Sequence, residues 1–200
     1  HAKGASIVVM DPHTGAILAM ANRPTFDLND YRSCGKDAMR NRAVADMFEP
    51  GSVFKIVTAS AALEENKVSE GEKFFCENGS YKIAGHVLHD HQPHGWLTFT
   101  EVIEQSSNIG TCKIAQVLGT NILYNYVKLF GFGSKSGINL PGEISGSMKE
   151  PRFWSKTSIT AVPMGHEVGV TALQLVTAIS AIANGGNLMK PYVVKEVRDK

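Results

Sequence analysis

The chain has 200 residues, with 20 Lys and Arg against 19 Asp and Glu for a net charge of +1, and is 43% hydrophobic and 8% aromatic. That balance is ordinary for a globular domain and excludes a disordered segment, a fibrous repeat and a strongly basic nucleic-acid binder. No apolar run approaches the ~20 residues that span a bilayer, and the start His1-Ala2-Lys3-Gly4-Ala5 has no signal-peptide regions, so any anchor or export signal is expected outside these residues.

In chain order, the first 21 residues predict a hairpin. Ser6–Met10 and Ala16–Met20 are β-branched and apolar, and Asp11-Pro12-His13-Thr14-Gly15 between them is dense in turn formers. Both runs are almost continuously apolar, which predicts a sheet covered on both faces. A polar, irregular stretch follows to about Asp46. Glu49-Pro50-Gly51-Ser52 then predicts a helix start, with Val53, Ile56, Val57, Ala61 and Leu63 at helical spacing. Residues 74–97 are turn-rich, with His86, His89, His91 and His94, and predict loop with short strands. Thr98 caps a helix to about Glu104, and further helices are expected over Ile109–Leu118, Asn121–Phe130 and Thr171–Asn184. Residues 134–163 predict a surface excursion, and Tyr192–Val197 a closing strand. The reading is α+β (mixed α/β): a hairpin at about 4–21, a helical block at about 47–184 and a returning strand at about 191–198.

Two short motifs carry chemistry. Ser52-Val53-Phe54-Lys55 has the form S-x-x-K, and on a helix its ends share one face. A serine becomes nucleophilic when a neighbouring base takes its proton, and a desolvated lysine can do so near neutral pH. The pattern alone is cheap, and about one copy is expected by chance in a chain of this size. A second copy, Ser33-Cys34-Gly35-Lys36, lies among polar residues around a glycine and is read as loop. Ser106-Ser107-Asn108 offers a hydroxyl and a carboxamide, and Ser107 or Asn108 equally suits a helix cap. The four histidines lack the ordered spacing of a zinc site and are read as polar loop, so no metal is expected. His166 is read as core or loop. Cys34, Cys76 and Cys112 fit one disulfide or three free thiols, and both remain open.

Together these residues resemble a known family. Glu49–Lys55 and Ser106-Ser107-Asn108-Ile109-Gly110 look like the S-x-x-K and S-x-N motifs of penicillin-binding proteins. Asp11–Met20, Asn41-Arg42-Ala43, His94–Thr98 and Gly169–Leu175 resemble further segments of the monofunctional, class B transpeptidases, in family order. The resemblance implies the penicilloyl-serine transferase (β-lactamase-like) fold: an antiparallel sheet flanked by helices, beside a helical subdomain. It implies Ser52 as nucleophile, Lys55 as its base, Ser106 as proton shuttle and Asn108 as holder of the substrate amide. It implies no cofactor. The implied partners are peptidoglycan stem peptides ending in D-Ala-D-Ala, β-lactams, glycosyltransferases and other cell-wall synthesis proteins. The implied place is the extracytoplasmic face of a bacterial plasma membrane, with an anchoring helix outside these residues. The family's third motif, K-T-G, does not occur; Lys156-Thr157-Ser158 is the nearest string and precedes the late helix. The K-T-G strand is therefore expected beyond residue 200, and the 200 residues alone are expected to acylate poorly. A β-lactamase and a non-enzymatic β-lactam sensor or scaffold are the alternatives.

Overall fold

A computed structural model describes residues 2–199. The strands used below are β1 (Ala5–Met10), β2 (Ile17–Arg23), β3 (Lys73–Phe75), β4 (Ser80–Ile83), β5 (His86–His89) and β6 (Trp96–Thr98). The helices are α1 (Arg42–Ala45), α2 (Lys55–Glu64), α3 (Phe99–Glu104), α4 (Asn108–Leu118), α5 (Thr120–Leu129), α6 (Ser158–Ala161) and α7 (Ala172–Ala183). None of these helices is long and apolar enough to cross a membrane.

The chain divides into two compact units. The first gathers residues 1–48, 130–147 and 169–200; the second gathers 49–129 and 148–168. The helical block read as continuous from 47 to 184 is therefore divided, with α7 belonging to the hairpin's unit.

In the first unit β1 and β2 pair antiparallel from Ala5↔Arg23 to Met10↔Ile17, with a bulge at Val9/Met10. The turn is held by Asp11, whose carboxylate accepts from the His13 amide (2.9 Å) and the Thr14 hydroxyl (2.7 Å). Val8, Ile17 and Met20 pack with Val44, Ile138 and Leu173 into a small core. The cover expected on both faces is found on one. Alternation along a strand turns Ile7, Val9 and Leu18 the other way, where they are 64%, 45% and 67% exposed. The strand expected over 192–197 is not formed either. Tyr192 makes one parallel bridge to Ala16, and Val193, Val194 and Val197 are exposed. A β-branched run becomes a strand only where an edge pairs with it.

The second unit is mainly helical. Phe74, Cys76, Phe99, Val102, Ile109 and Ile114 form its core with Ala62 and Val68. Local capping explains the helix starts. Thr98 and Glu101 form a capping box at α3, as Thr171 and Gln174 do at α7 in the first unit, each cap contributing about 1 kcal/mol. The stretch read as loop with short strands at 74–97 does hold such strands, β3 paired with β6 and β4 paired with β5, but His86 and His89, read as polar loop, stand on β5. Part of the expected excursion is buried: Ser158, Thr160, Val162, Pro163 and Met164 are core residues of this unit.

Candidate active site

The site residues all lie in the second unit. Buried Pro50 is followed by Gly51, whose φ of +60° turns the chain into a 3-10 turn, Gly51–Phe54, that runs on into α2. Phe54 is fully buried and anchors the turn, so Lys55 begins α2 with its side chain only 2% exposed while Ser52 stays on the surface. The turn is pinned from a distant part of the chain. The Gly51 amide donates to the Gly165 carbonyl at 3.3 Å. Gly165 has a φ of +79°, and a Cβ there would stand 2.3 Å from the Gly51 oxygen, so only glycine fits. Just before the turn, Glu49 pairs with His166 Nδ1 (2.9 Å) and accepts from the Glu167 amide (2.9 Å). The His166 bond first, then the Glu167 amide, holds the Glu49 carboxyl below the usual carboxylate range.

The second motif joins α3 to α4. The Ser106 amide donates to Ile103 O (3.1 Å) and the Ser107 amide to Val102 O (2.9 Å), the bond pair of a Schellman helix end. Its left-handed position, usually glycine, is occupied by Ser106 at φ +53°. Ser107 then caps α4, its hydroxyl accepting from the Gly110 amide at 2.9 Å. Gly110 lets the two helices touch: a Cβ there would lie 2.5 Å from a Val102 methyl. Asp90, directly after β5, takes the other free groups of this helix start. One carboxylate oxygen accepts from the Ser107 hydroxyl (2.7 Å), and the other from the amides of Asn108 (2.5 Å) and Ile109 (3.0 Å). Asn108 Nδ2 donates to the His89 carbonyl at 2.8 Å, which leaves its Oδ1 as the acceptor facing Lys55.

Lys55 joins the two motifs. Its ammonium donates to Ser106 O (2.5 Å), Ser106 Oγ (3.0 Å) and Asn108 Oδ1 (2.8 Å), which uses all three of its protons. Burial lowers its pKa to about 8, against a smaller upward pull from the Asp90 charge. Among the described residues the Ser52 hydroxyl has no hydrogen-bond partner, so the bond to Lys55 that the S-x-x-K spacing suggests is not made in this resting arrangement. The arrangement can supply a surface serine one helical step from a buried amine poised to lose a proton, with a second hydroxyl on that amine.

Of the residues singled out from the sequence, Lys55, Ser106 and Asn108 are thus brought together. Ser33 lies on an exposed turn, donating to Asp30, and Lys156 is exposed. The three cysteines are free thiols. Burial pushes Cys112 up to about 11 and also raises Cys76, whose sulfur lies 3.4 Å from the Ser107 hydroxyl. Sequence reasoning gave no role to Asp90 or Gly165, read Glu49 only as part of the helix start and the family motif, and placed His166 without its partner. The signals available were faint: an acidic residue among turn formers, and a glycine before a histidine.

Comparison with known proteins agrees with this geometry. The family model described as "Penicillin binding protein transpeptidase domain" matches residues 5–200. Stage V sporulation protein D of Bacillus subtilis is 40% identical over 199 residues, covering 98% of this chain and 31% of the relative. Peptidoglycan D,D-transpeptidase FtsI of Escherichia coli is 34% identical over 196 residues, 98% of this chain and 33% of the relative. The chain therefore spans about a third of the length of these curated relatives. Penicillin binding protein 3 of Mycobacterium tuberculosis, solved in complex with ampicillin, superposes with a TM-score of 0.91 at 38% identity, over 97% of this chain and 43% of that one.

Proposed function

We propose that this chain, which belongs to the penicillin binding protein transpeptidase domain family and resembles its class B members, carries the acyl-transfer machinery of a peptidoglycan D,D-transpeptidase. The observation that supports this most is the buried Lys55 amine, its pKa lowered to about 8, held between Ser106 and Asn108 three residues after an exposed serine. In this reading the neutral form of Lys55 takes the Ser52 proton as Ser52 Oγ attacks the penultimate D-Ala carbonyl of a stem peptide. Ser106 Oγ, already on the Lys55 nitrogen, passes that proton to the departing D-Ala amine. Asn108 binds the stem-peptide amide once its Oδ1 leaves Lys55. The Ser52 amide at the helix start stabilises the developing oxyanion. An amine of a second stem peptide then resolves the acyl-serine and leaves a cross-link. β-Lactams acylate the same serine because they imitate the D-Ala-D-Ala end, as the ampicillin and aztreonam complexes of the mycobacterial relative suggest. We place this work at the extracytoplasmic face of the plasma membrane, beside glycosyltransferases and other cell-wall synthesis proteins.

A fluorescent penicillin, intact mass and peptide mapping test the reading in the intact protein that carries these residues. The expected result is a long-lived adduct on Ser52 that is lost in Ser52→Ala. Rapid release of the adduct would indicate a β-lactamase, and an adduct that survives Ser52→Ala would overturn the assignment.

A further inference from the structure

We propose that Asp90 is the positioning residue of the Ser106–Asn108 turn, its carboxylate holding that turn in the one conformation that presents Ser106 and Asn108 to Lys55. The inference deepens the acyl-serine reading above and rests on it.

Three observations carry it. Ser106 stands in a left-handed conformation that a residue with a Cβ adopts only where its surroundings impose it. Ser106 itself is held by Ile103 O and by Lys55, and Asp90 holds the residues that follow it. Ser107 caps α4 through the Gly110 amide alone, which leaves the Asn108 and Ile109 amides at the helix start for another acceptor. Asp90 takes both of those amides and, beyond what capping needs, the Ser107 hydroxyl, fixing the three residues immediately after Ser106. The neighbouring carbonyl of His89 fixes the Asn108 side chain itself. The end of β5 therefore grips the turn by its backbone and its side chains together, and what that grip aims is the Ser106 carbonyl, the Ser106 hydroxyl and the Asn108 side-chain Oδ1 at one nitrogen. The third observation is charge. Ser106 and Asn108, the direct partners of Lys55, are neutral, and among the described residues Asp90 is the charged group that acts on its ammonium, favouring the protonated form. Asp90 thus sets both the direction of the lysine's partners and the electrostatic pull on its proton, without touching the reacting atoms.

Shape and charge separate in two variants. Asp90→Asn keeps the volume and one acceptor oxygen for the Asn108 and Ile109 amides but removes the charge. Asp90→Ala removes both. In the intact protein, second-order acylation of Ser52 by a fluorescent penicillin is measured from pH 5.5 to 9.5, a range that brackets the value near 8 where Lys55 titrates, alongside thermal melting. The expected result for Asp90→Ala is acylation slower by about 10–100-fold on the high-pH plateau, the scale of a misplaced catalytic group. For Asp90→Asn the expected result is acylation closer to wild type, with the acid limb of the profile displaced to lower pH, because loss of the negative charge makes Lys55 easier to deprotonate. A purely structural role would lower the melting temperature and leave that limb in place. An unmoved limb in Asp90→Asn, or Asp90→Ala acylating within about twofold of wild type, overturns the inference. Should Asp90→Ala fail to fold, the profile of Asp90→Asn decides alone. If the wild-type protein forms no adduct at Ser52, the acyl-serine reading falls first, and this inference with it.

Discussion

Around Ser52 the chain is held by backbone lying on backbone, Gly51 against Gly165, whereas around Ser106 it is held by side chains, Asp90 on the helix start and Asn108 on the His89 carbonyl. The two turns carry different tasks. A nucleophile that must reach a bulky substrate stands on the surface, and a turn there can be fixed only from beneath, where a missing Cβ lets two strands of backbone meet. The Ser106 turn lies over a buried amine and is fixed by directional hydrogen bonds, which set angles as well as positions. Contact-held and bond-held turns should therefore fail differently: the first by displacement on adding one atom, the second by reorientation on losing one partner.

The largest effect is expected at the residue common to both turns. Lys55→Arg keeps the positive charge but cannot give up its proton, so Ser52 acylation should fall by about 10²–10⁴-fold. Near-normal acylation in that variant would remove Lys55 from the base role. Next comes the contact-held turn. Gly165→Ala adds a Cβ 2.3 Å from the Gly51 oxygen at a left-handed φ, so strain and overlap together should cost about 2–5 kcal/mol in denaturant unfolding. Acylation should drop with it, since the atom displaced adjoins Ser52; an unchanged unfolding midpoint would show that the two glycines are not pressed together.

A pH dependence of about tenfold per unit is the third expectation. With Lys55 titrating near 8, the neutral amine is scarce at pH 6, and acylation should climb with pH and level off above about 8. The same group makes a stability statement. Its folded pKa lies below that of a free lysine, so between about 8 and about 10.5 the unfolded chain binds more protons and stability should gain as pH rises. Comparing wild type with Lys55→Met isolates this term. The smallest effect tests the bond-held turn from the other side. Ser106→Gly relieves the left-handed backbone and should stabilise the fold by about 0.5–1 kcal/mol while slowing acylation, because the hydroxyl on Lys55 is gone. Destabilisation instead would mean that the Ser106 hydroxyl contributes more to the fold than its backbone strain costs.

The division between what could and could not be read in advance follows the distance over which each feature is encoded. Helices α2 to α5 and α7 were legible because their apolar spacing and capping residues, such as Thr98 with Glu101, are local. Lys55, Ser106 and Asn108 were legible because two short motifs carry them. Asp90 was not: its partners lie 17 to 19 residues away, and it stands among histidines whose spacing reads as polar loop. Glu49 and Glu167 are separated by 118 positions, and nothing in either local sequence announces the other. The valines after Tyr192 illustrate the opposite error, since β-propensity is a local signal for a structure that needs a non-local partner.

The fully engaged ammonium of Lys55 also bears on how selectively the protein can be labelled. With three protons committed to Ser106 and Asn108, nothing in the resting site polarises the Ser52 hydroxyl, so it should behave toward small electrophiles much like an ordinary alcohol. Reactivity then depends on a molecule that draws Asn108 away from the lysine as it docks. Generic serine reagents, such as fluorophosphonates and sulfonyl fluorides, bring no amide to do so and should mark Ser52 poorly at neutral pH. Warheads carrying a peptide-like amide beside the electrophile should be discriminating by construction, because the same contact that seats them switches the serine on.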